Sequence, residues 1–215
     1  MKILPVVKPL KLTNDGTLEI VFLGVGGAFS QTLFNTNFII SKGDAHVLVD
    51  FGTTGPFALA ASTGLTLSDI SAILPTHSHC DHIGGIESLA LWNRYVSIPH
   101  IGKPKLSMII SEEYQEILWN NSLRGGMEQN EMSSEGNALS FEDYFTIFRP
   151  TYLEREPRLR LEINWQGIHI ELFGTNHVPE QASSASSAFI THGLYIDNKV
   201  FFSGDTKFDK ELIDM

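Results

Sequence analysis

The sequence is poor in cysteine, poor in positive charge and free of long apolar runs. Cys80 is the one cysteine in 215 residues, which excludes an intrachain disulfide and fits a reducing, cytoplasmic setting. There are 15 Lys and Arg against 25 Asp and Glu, a formal charge of −10. That deficit argues against broad binding to nucleic acid or to an anionic membrane, since both depend on clustered Lys and Arg. No stretch approaches the ~18 consecutive apolar residues of a bilayer span, so no membrane partner is expected. The opening MKILPVVKPLKL is basic and apolar, but Pro5, Lys8, Pro9 and Lys11 interrupt it and make it a poor signal peptide. Internal repeats and low-complexity tracts are missing as well.

What is present is an ordinary globular composition, 42% hydrophobic, in a length that suits one domain over residues 1–215. LEIVFLG (18–24), NFIIS (37–41) and HVLVDFG (46–52) predict strands, with KGDA as the turn joining the second to the third. GPFALAASTGL (55–65) has Pro56 near its start and Gly64 near its end, which predicts a short helix. From Asp81 to about Tyr95, the residues Ile83, Ile86, Leu89, Ala90 and Trp92 recur at helical spacing. KLSMIIS reads as a strand, and SEEYQEILWNNSL as a helix with Ser111 as N-cap. Residues 124–140 are polar and contain glycine, which predicts a mobile loop. Two hairpins follow, LRLEINW-QG-IHIELF and SAFITHGLYI-DN-KVFFSG. Interleaved helices and strands give way to hairpins, a pattern that points to an α/β sandwich.

The chemistry concentrates in ILPTHSHCDHIGG, residues 73–85, where His77, His79, Asp81 and His82 crowd the end of an apolar strand. Strand residues two apart point to the same side. Neutral imidazoles with a carboxylate suit zinc, and also manganese or iron. Three histidines and an aspartate exceed what one tetrahedral ion takes from a single segment, so two adjacent ions are the economical reading. The alternative is a histidine-rich surface loop. Gly84 and Gly85 are expected to leave space beside the cluster. Asp50, His177 and Asp205 each end another apolar strand. Taken singly they could be turn formers or loop residues; together, four strand ends can meet at one rim of a sandwich.

Other features carry less. GVGGA does not complete G-x-G-x-x-G, because Phe29 takes the last glycine position, so its glycines read as turns. Cys80 is expected to face away from the cluster. Trp92, Trp119 and Trp165 read as core anchors, Glu112, Glu113 and Glu116 as a solvated helix face, and His46, His100 and His169 as strand or surface residues.

THSHCDH matches the H-x-H-x-D-H signature of the metallo-β-lactamase superfamily, and the order Asp50, cluster, His177, Asp205 follows that family. FLGVGGAFS (22–30) followed by NTNFII resembles the phosphodiesterase branch, which includes ribonuclease Z and cyclic-nucleotide phosphodiesterases. LWNNSLRGGMEQ and LSFEDYF are similar to the anti-Pycsar cyclic-nucleotide phosphodiesterases. The resemblance implies an α/β fold, the metallo-β-lactamase αββα sandwich with two mixed sheets. It implies two divalent metal ions, zinc (Zn2+) foremost, with His77, His79 and His177 holding one. Asp81 and His82 would help hold the second and stand at the chemistry, Asp205 would bridge both, and Asp50 would orient the histidine loop.

The family supplies a further histidine from a strand near the C-terminus, whereas this chain ends at Met215, ten residues past Asp205. His192 precedes Asp205 and is expected mid-strand, so it is no obvious substitute. The expectation is a fragment lacking its last strand and helices. The expected activity is hydrolysis of a phosphodiester, that of a small cyclic nucleotide, by a metal-bridging hydroxide. The alternatives are a ribonuclease Z-like tRNA 3′ endonuclease, disfavoured by the missing basic arm, and a non-catalytic metal- or nucleotide-binding remnant. A homodimer is expected from related dimers.

Overall fold

The structure, a computed structural model, describes residues 2–177 and 189–214. Its β-branched and aromatic runs pair into two sheets. The first has the order β1 (Glu19–Gly24), β2 (Asn37–Lys42), β3 (Ala45–Val49), β4 (Ala72–Leu74), β5 (Leu106–Ile109), β6 (Phe145–Phe148). β1, β2 and β3 pair antiparallel, whereas β3 to β6 pair in parallel, so this sheet is mixed. The second sheet holds β7 (Thr151–Glu154), β8 (Arg160–Trp165), β9 (Ile168–Gly174), β10 (His192–Ile196) and β11 (Val200–Phe202). It is antiparallel throughout, with short hairpin turns joining β8 to β9 and β10 to β11.

The central strands of the first sheet are buried on both faces, which explains their unbroken apolar runs. Alternate residues serve different layers. Ile39, Leu48, Ile73 and Met108 pack beneath the helices α1 (Gly55–Thr63), α3 (Ile86–Trp92) and α4 (Glu112–Leu118). Phe38, Ile40, Val47, Val49 and Leu74 meet Leu161, Ile170, Leu172, Leu194 and Ile196 of the second sheet. Each such side chain, taken fully out of water, contributes about 1.5–3 kcal/mol before conformational entropy is charged against it. Both hairpin turns adopt positive φ at their two central residues, 50° and 95° at Gln166 and Gly167, 52° and 53° at Asp197 and Asn198. That geometry matches the twist of the flanking strands.

Three expectations change. The helix anticipated from Asp81 to Tyr95 is broken at Gly84 and Gly85 into α2 (Cys80–Ile83) and α3, and continues past Trp92 in wider π-type turns over Asn93–Ile101. The stretch 124–140 is anchored. It begins with α5 (Arg124–Met127), buries Met127 and Leu139 in the core, and closes with a Leu139 N–H to Glu128 carbonyl bond of 3.0 Å. Local polarity concealed those two anchors. Trp92 is 42% exposed and donates its indole N–H to Ser68 Oγ at 2.8 Å, while Trp165 is buried as expected. The short α6 (Phe141–Tyr144), β6 and β7 were not legible in advance. Residues 187–188 of the expected SAFITHGLYI strand lie outside the described residues, and β10 begins at His192. No described helix is long and apolar enough to cross a membrane.

Candidate metal centre

The centre is assembled on Asp50, which follows β3 with a φ of 57°. An aspartate tolerates this left-handed conformation better than most residues do. It turns the carboxylate inward, where the residue is 1% exposed. There Oδ1 accepts the Thr76 N–H at 2.7 Å, and Oδ2 accepts the Thr76 hydroxyl at 2.9 Å and His82 Nδ1–H at 2.7 Å. Burial pushes the Asp50 carboxyl upward, and these donors from His82 and Thr76 oppose it.

Behind the carboxylate the backbones are stitched together. Phe51 N–H donates to the His82 carbonyl at 2.6 Å, Thr53 N–H to the Cys80 carbonyl at 3.0 Å, and Gly85 N–H to the Phe51 carbonyl at 2.8 Å. A Cβ at Gly52 would lie 1.9 Å from the Asp81 carbonyl oxygen, so only glycine allows the two segments to touch. Gly84 follows the same rule, with Thr53 Oγ1 2.4 Å and the Cys80 carbonyl 2.6 Å from a would-be Cβ. Gly52 and Gly84 thus serve close contact between segments, and Gly84 also lines a cavity beside the cluster with Ser78, Cys80 and Ile83.

The hydrogen bonds settle which ring nitrogens face inward. The Thr76 hydroxyl gives its proton to Asp50, so it accepts His77 Nδ1–H at 3.1 Å. This leaves the lone pair of His77 Nε2 free. His82 spends Nδ1–H on Asp50, which turns its Nε2 toward Asp81 and Asp205. His177 follows β9 and Asp205 follows β11. Thr175 ties the two strand ends, donating its hydroxyl to the Asp205 carbonyl at 3.0 Å.

Two donor sets result, each with its atoms within 4.8 Å of one another. In the first, His79 Nδ1 lies 3.0 Å from His77 Nε2 and 3.2 Å from His177 Nε2, with Asp205 Oδ2 3.5 Å from His177 Nε2. In the second, His82 Nε2 lies 3.5 Å from both Asp81 Oδ2 and Asp205 Oδ1. The two oxygens of Asp205 are thus divided between the sets. His77 and His82 are buried, whereas His79, His177 and Asp205 are partly exposed, so the bowl opens to solvent on one side.

The electrostatics suit a cation. Burial, then the neighbouring His82, lowers the His77 pKa to about 2, so its inward lone pair stays unprotonated. For His82 burial acts downward, but Asp205 and Asp50 outweigh it and raise the pKa to about 10, so without a cation the ring carries a second proton on Nε2, which a cation bound there would displace. The hydrogen bond from His82 holds Asp205 down at about 2, against burial. Imidazole nitrogens converging at such distances, with carboxylates among them, are the donor chemistry of a divalent cation. His82 also shows the carboxylate–histidine arrangement that fixes a ligand's tautomer. The residues fit one ion in each set.

All six candidate donors named from the sequence come together here, with Asp50 behind them. Cys80 is exposed and belongs to neither set. Two residues escaped notice. Thr76, the first residue of THSHCDH, links Asp50 to His77. Phe189 stacks on His79 with ring centroids 5.0 Å apart, and no spacing rule pointed to it. His192 is the first residue of β10 and stands against Thr76, outside both sets.

Sandwich and donor sets together describe a metallo-β-lactamase-fold protein with a His/Asp centre at the rim. A solved structure of the metallo-beta-lactamase fold protein YhfI from Bacillus subtilis superposes with a TM-score of 0.59 at 16% identity, covering 90% of this chain and 65% of that one. More specifically, the profile of the family "Anti-Pycsar protein Apyc1" matches residues 18–215, and the chain belongs to that family. The protein of that name from Bacillus phage BSP38 is 36% identical over 200 residues, covering 92% of this chain and 72% of the phage protein. Its counterpart from Paenibacillus sp. (strain J14) is 35% identical over 197 residues, covering 91% and 70%. The chain therefore spans roughly two thirds to three quarters of the length of these proteins.

Proposed function

We propose that the chain is a metal-dependent phosphodiesterase that opens the cyclic phosphate of a small nucleotide. The division of Asp205, with Oδ2 in one donor set and Oδ1 in the other, carries this reading. His77, His79, His177 and Asp205 would hold one divalent cation, and Asp81, His82 and Asp205 the second, with zinc favoured by the imidazole-rich donors and manganese or iron as alternatives. When bound, such a pair lowers the pKa of water and offsets charge on the attacking and leaving oxygens of a phosphodiester.

The chain's own residues prepare the site for that role. Asp50 and Thr76 hold the Nδ1 protons of His82 and His77, so both rings present Nε2 without rotating. Asp81, whose Oδ2 lies 3.5 Å from His82 Nε2, would be the carboxylate that accepts a proton from attacking water. Phe189 stacks on the His79 ring and limits its rotation. The substrate class is supported by the charge of −10, which disfavours a long polyanion, and by membership of a family whose proteins are called anti-Pycsar. A homodimer in the cytoplasm completes the proposal, and sedimentation velocity tests the dimer.

Purified protein, loaded with Zn2+ or Mn2+, is offered cyclic mononucleotides, bis(p-nitrophenyl) phosphate and precursor tRNA. Ring opening of a cyclic nucleotide supports the proposal. Cleavage of precursor tRNA with cyclic nucleotides untouched replaces it with a ribonuclease Z-like activity. Metal binding with no hydrolysis of any of the three leaves a binding protein.

A further inference from the structure

His192 is 2% exposed and takes no part in either donor set, yet it touches the segment that carries the first ligand. Its backbone N–H and its Nδ1 both lie 3.2 Å from the Thr76 carbonyl oxygen. A carbonyl can only accept, so Nδ1 carries the ring proton. Nε2 is then a buried acceptor, and among the described residues it has no partner. Burial lowers the pKa of this imidazole to about 4, which keeps it neutral near pH 7. An apolar ring would fill the same space without a stranded acceptor, so the ring proton on Thr76 is what distinguishes histidine here.

Thr76 is a hub. Its N–H and hydroxyl hold Asp50, its hydroxyl accepts His77 Nδ1–H, and Asp50 in turn holds His82. From the helix side Tyr114 packs against the same stretch. It is 1% exposed, its hydroxyl accepts from Ser78 Oγ at 3.3 Å, and its ring centroid lies 6.0 Å from that of His192. The loop bearing His77 and His79 is therefore gripped from two layers. His192 is the grip supplied by the second sheet, whose neighbouring strand ends deliver His177 and Asp205.

We propose that His192 is a positioning residue: its ring N–H joins its backbone N–H in fixing the Thr76 carbonyl to β10, and this second bond sets the aim of His77 and His82 relative to His177 and Asp205. This rests on the reading of those residues as metal ligands. The coupling is a hydrogen-bond path of two links from His192 to His77 and three to His82. It makes cation affinity depend on a buried ring N–H that no cation touches, over and above the backbone N–H that any residue here would keep.

The test uses the full chain with His192→Phe and His192→Asn. Asn keeps a donor at the position of Nδ1, whereas Phe keeps only the volume. Zn2+ affinity is read by chelator competition, folding by thermal melts, and turnover of bis(p-nitrophenyl) phosphate as kcat and KM separately. The expected result is that His192→Phe melts near wild type but binds Zn2+ about tenfold more weakly, within the range known for outer hydrogen-bond partners of metal ligands. Its kcat falls with little change in KM, and His192→Asn restores both affinity and kcat. Wild-type Zn2+ affinity in His192→Phe overturns the proposal, as do equal losses in the two variants. Should His192→Phe fail to fold, His192→Asn decides alone: retained affinity supports the proposal, a tenfold loss overturns it. Wild type that binds Zn2+ yet hydrolyses no phosphodiester refutes the phosphodiesterase reading, while the affinities still judge His192.

Discussion

Replacing Asp50 with alanine strips the centre of the group that orients it without removing a donor atom. The carboxylate accepts three hydrogen bonds in a position 1% exposed, from the Thr76 N–H, the Thr76 hydroxyl and His82 Nδ1–H. The hydroxyl can rotate to another acceptor, but the two N–H donors cannot. At about 1–3 kcal/mol for each stranded donor, the gross loss is roughly 2–6 kcal/mol. Water entering the vacated volume recovers part of it. A net loss of about 2 kcal/mol corresponds to a fall in Tm of about 4–8 °C for a chain of this size. His82, no longer held in one tautomer, loses its bias toward an inward Nε2, and Zn2+ affinity should drop by about 10–100-fold, or about 1.4–2.8 kcal/mol. Alanine at a φ of 57° adds backbone strain of about 1–2 kcal/mol, so Asp50→Asn serves as control. Asparagine accepts that conformation and keeps the size, yet turns donors toward donors, so it should lose affinity with a smaller fall in Tm. The assays are chelator competition and a thermal melt of the apo-protein. Unchanged Zn2+ affinity in both variants would refute the claim that Asp50 orients the cluster, whatever the melt shows.

Asp205→Asn removes the negative charge of the one carboxylate whose two oxygens serve both donor sets. Elemental analysis should show the bound-ion content fall from the expected pair to one ion or fewer, and phosphodiester hydrolysis should fall with it. Gly52→Ala drives a methyl to within 1.9 Å of the Asp81 carbonyl, whereas a Cβ at Gly27 meets nothing within 4 Å. Overpacking of about 1–3 kcal/mol should lower Tm by several degrees in the first and leave the second near wild type. Lys42 donates to Asp197 Oδ1 and Oδ2 at 2.8 and 2.9 Å, and this hydrogen bond first, opposed by desolvation, holds the Asp197 pKa below its ordinary 3.8. The unfolded chain therefore takes up this proton first as pH falls. Stability from the pair is complete above pH 3.8 and is lost as pH falls through the lower folded value. Denaturant melts of Lys42→Ala and wild type should differ most near neutral pH, and the gap should narrow in strong acid to what the Lys42 bond to the Gly167 carbonyl at 2.9 Å contributes.

The chemistry was legible because it is local. Four of the six donors lie between His77 and His82, and strand periodicity with tautomer chemistry reads such a motif directly. His177 and Asp205 were legible because each follows an apolar strand at a turn. Less could be foreseen where long-range packing overrules local composition. The polar stretch 124–140 gave no hint that Met127 and Leu139 pin it to the core, nor did helical spacing reveal the break at Gly84 and Gly85.

By itself the sequence determined the donor set, the order in which it is delivered, the alternation that makes two sheets, and the turns that need positive φ. Side-chain identity, spacing and backbone sterics act over a few residues and can be read in one dimension. Only the tertiary structure decided that Asp205 splits its oxygens between two sets, that Asp50 and Thr76 fix the tautomers, that Gly52 must let two backbones touch, and that His192 reaches the loop from the other sheet. Those outcomes depend on distances of a few ångströms between segments far apart in the chain, and only the packing of one layer on another sets them.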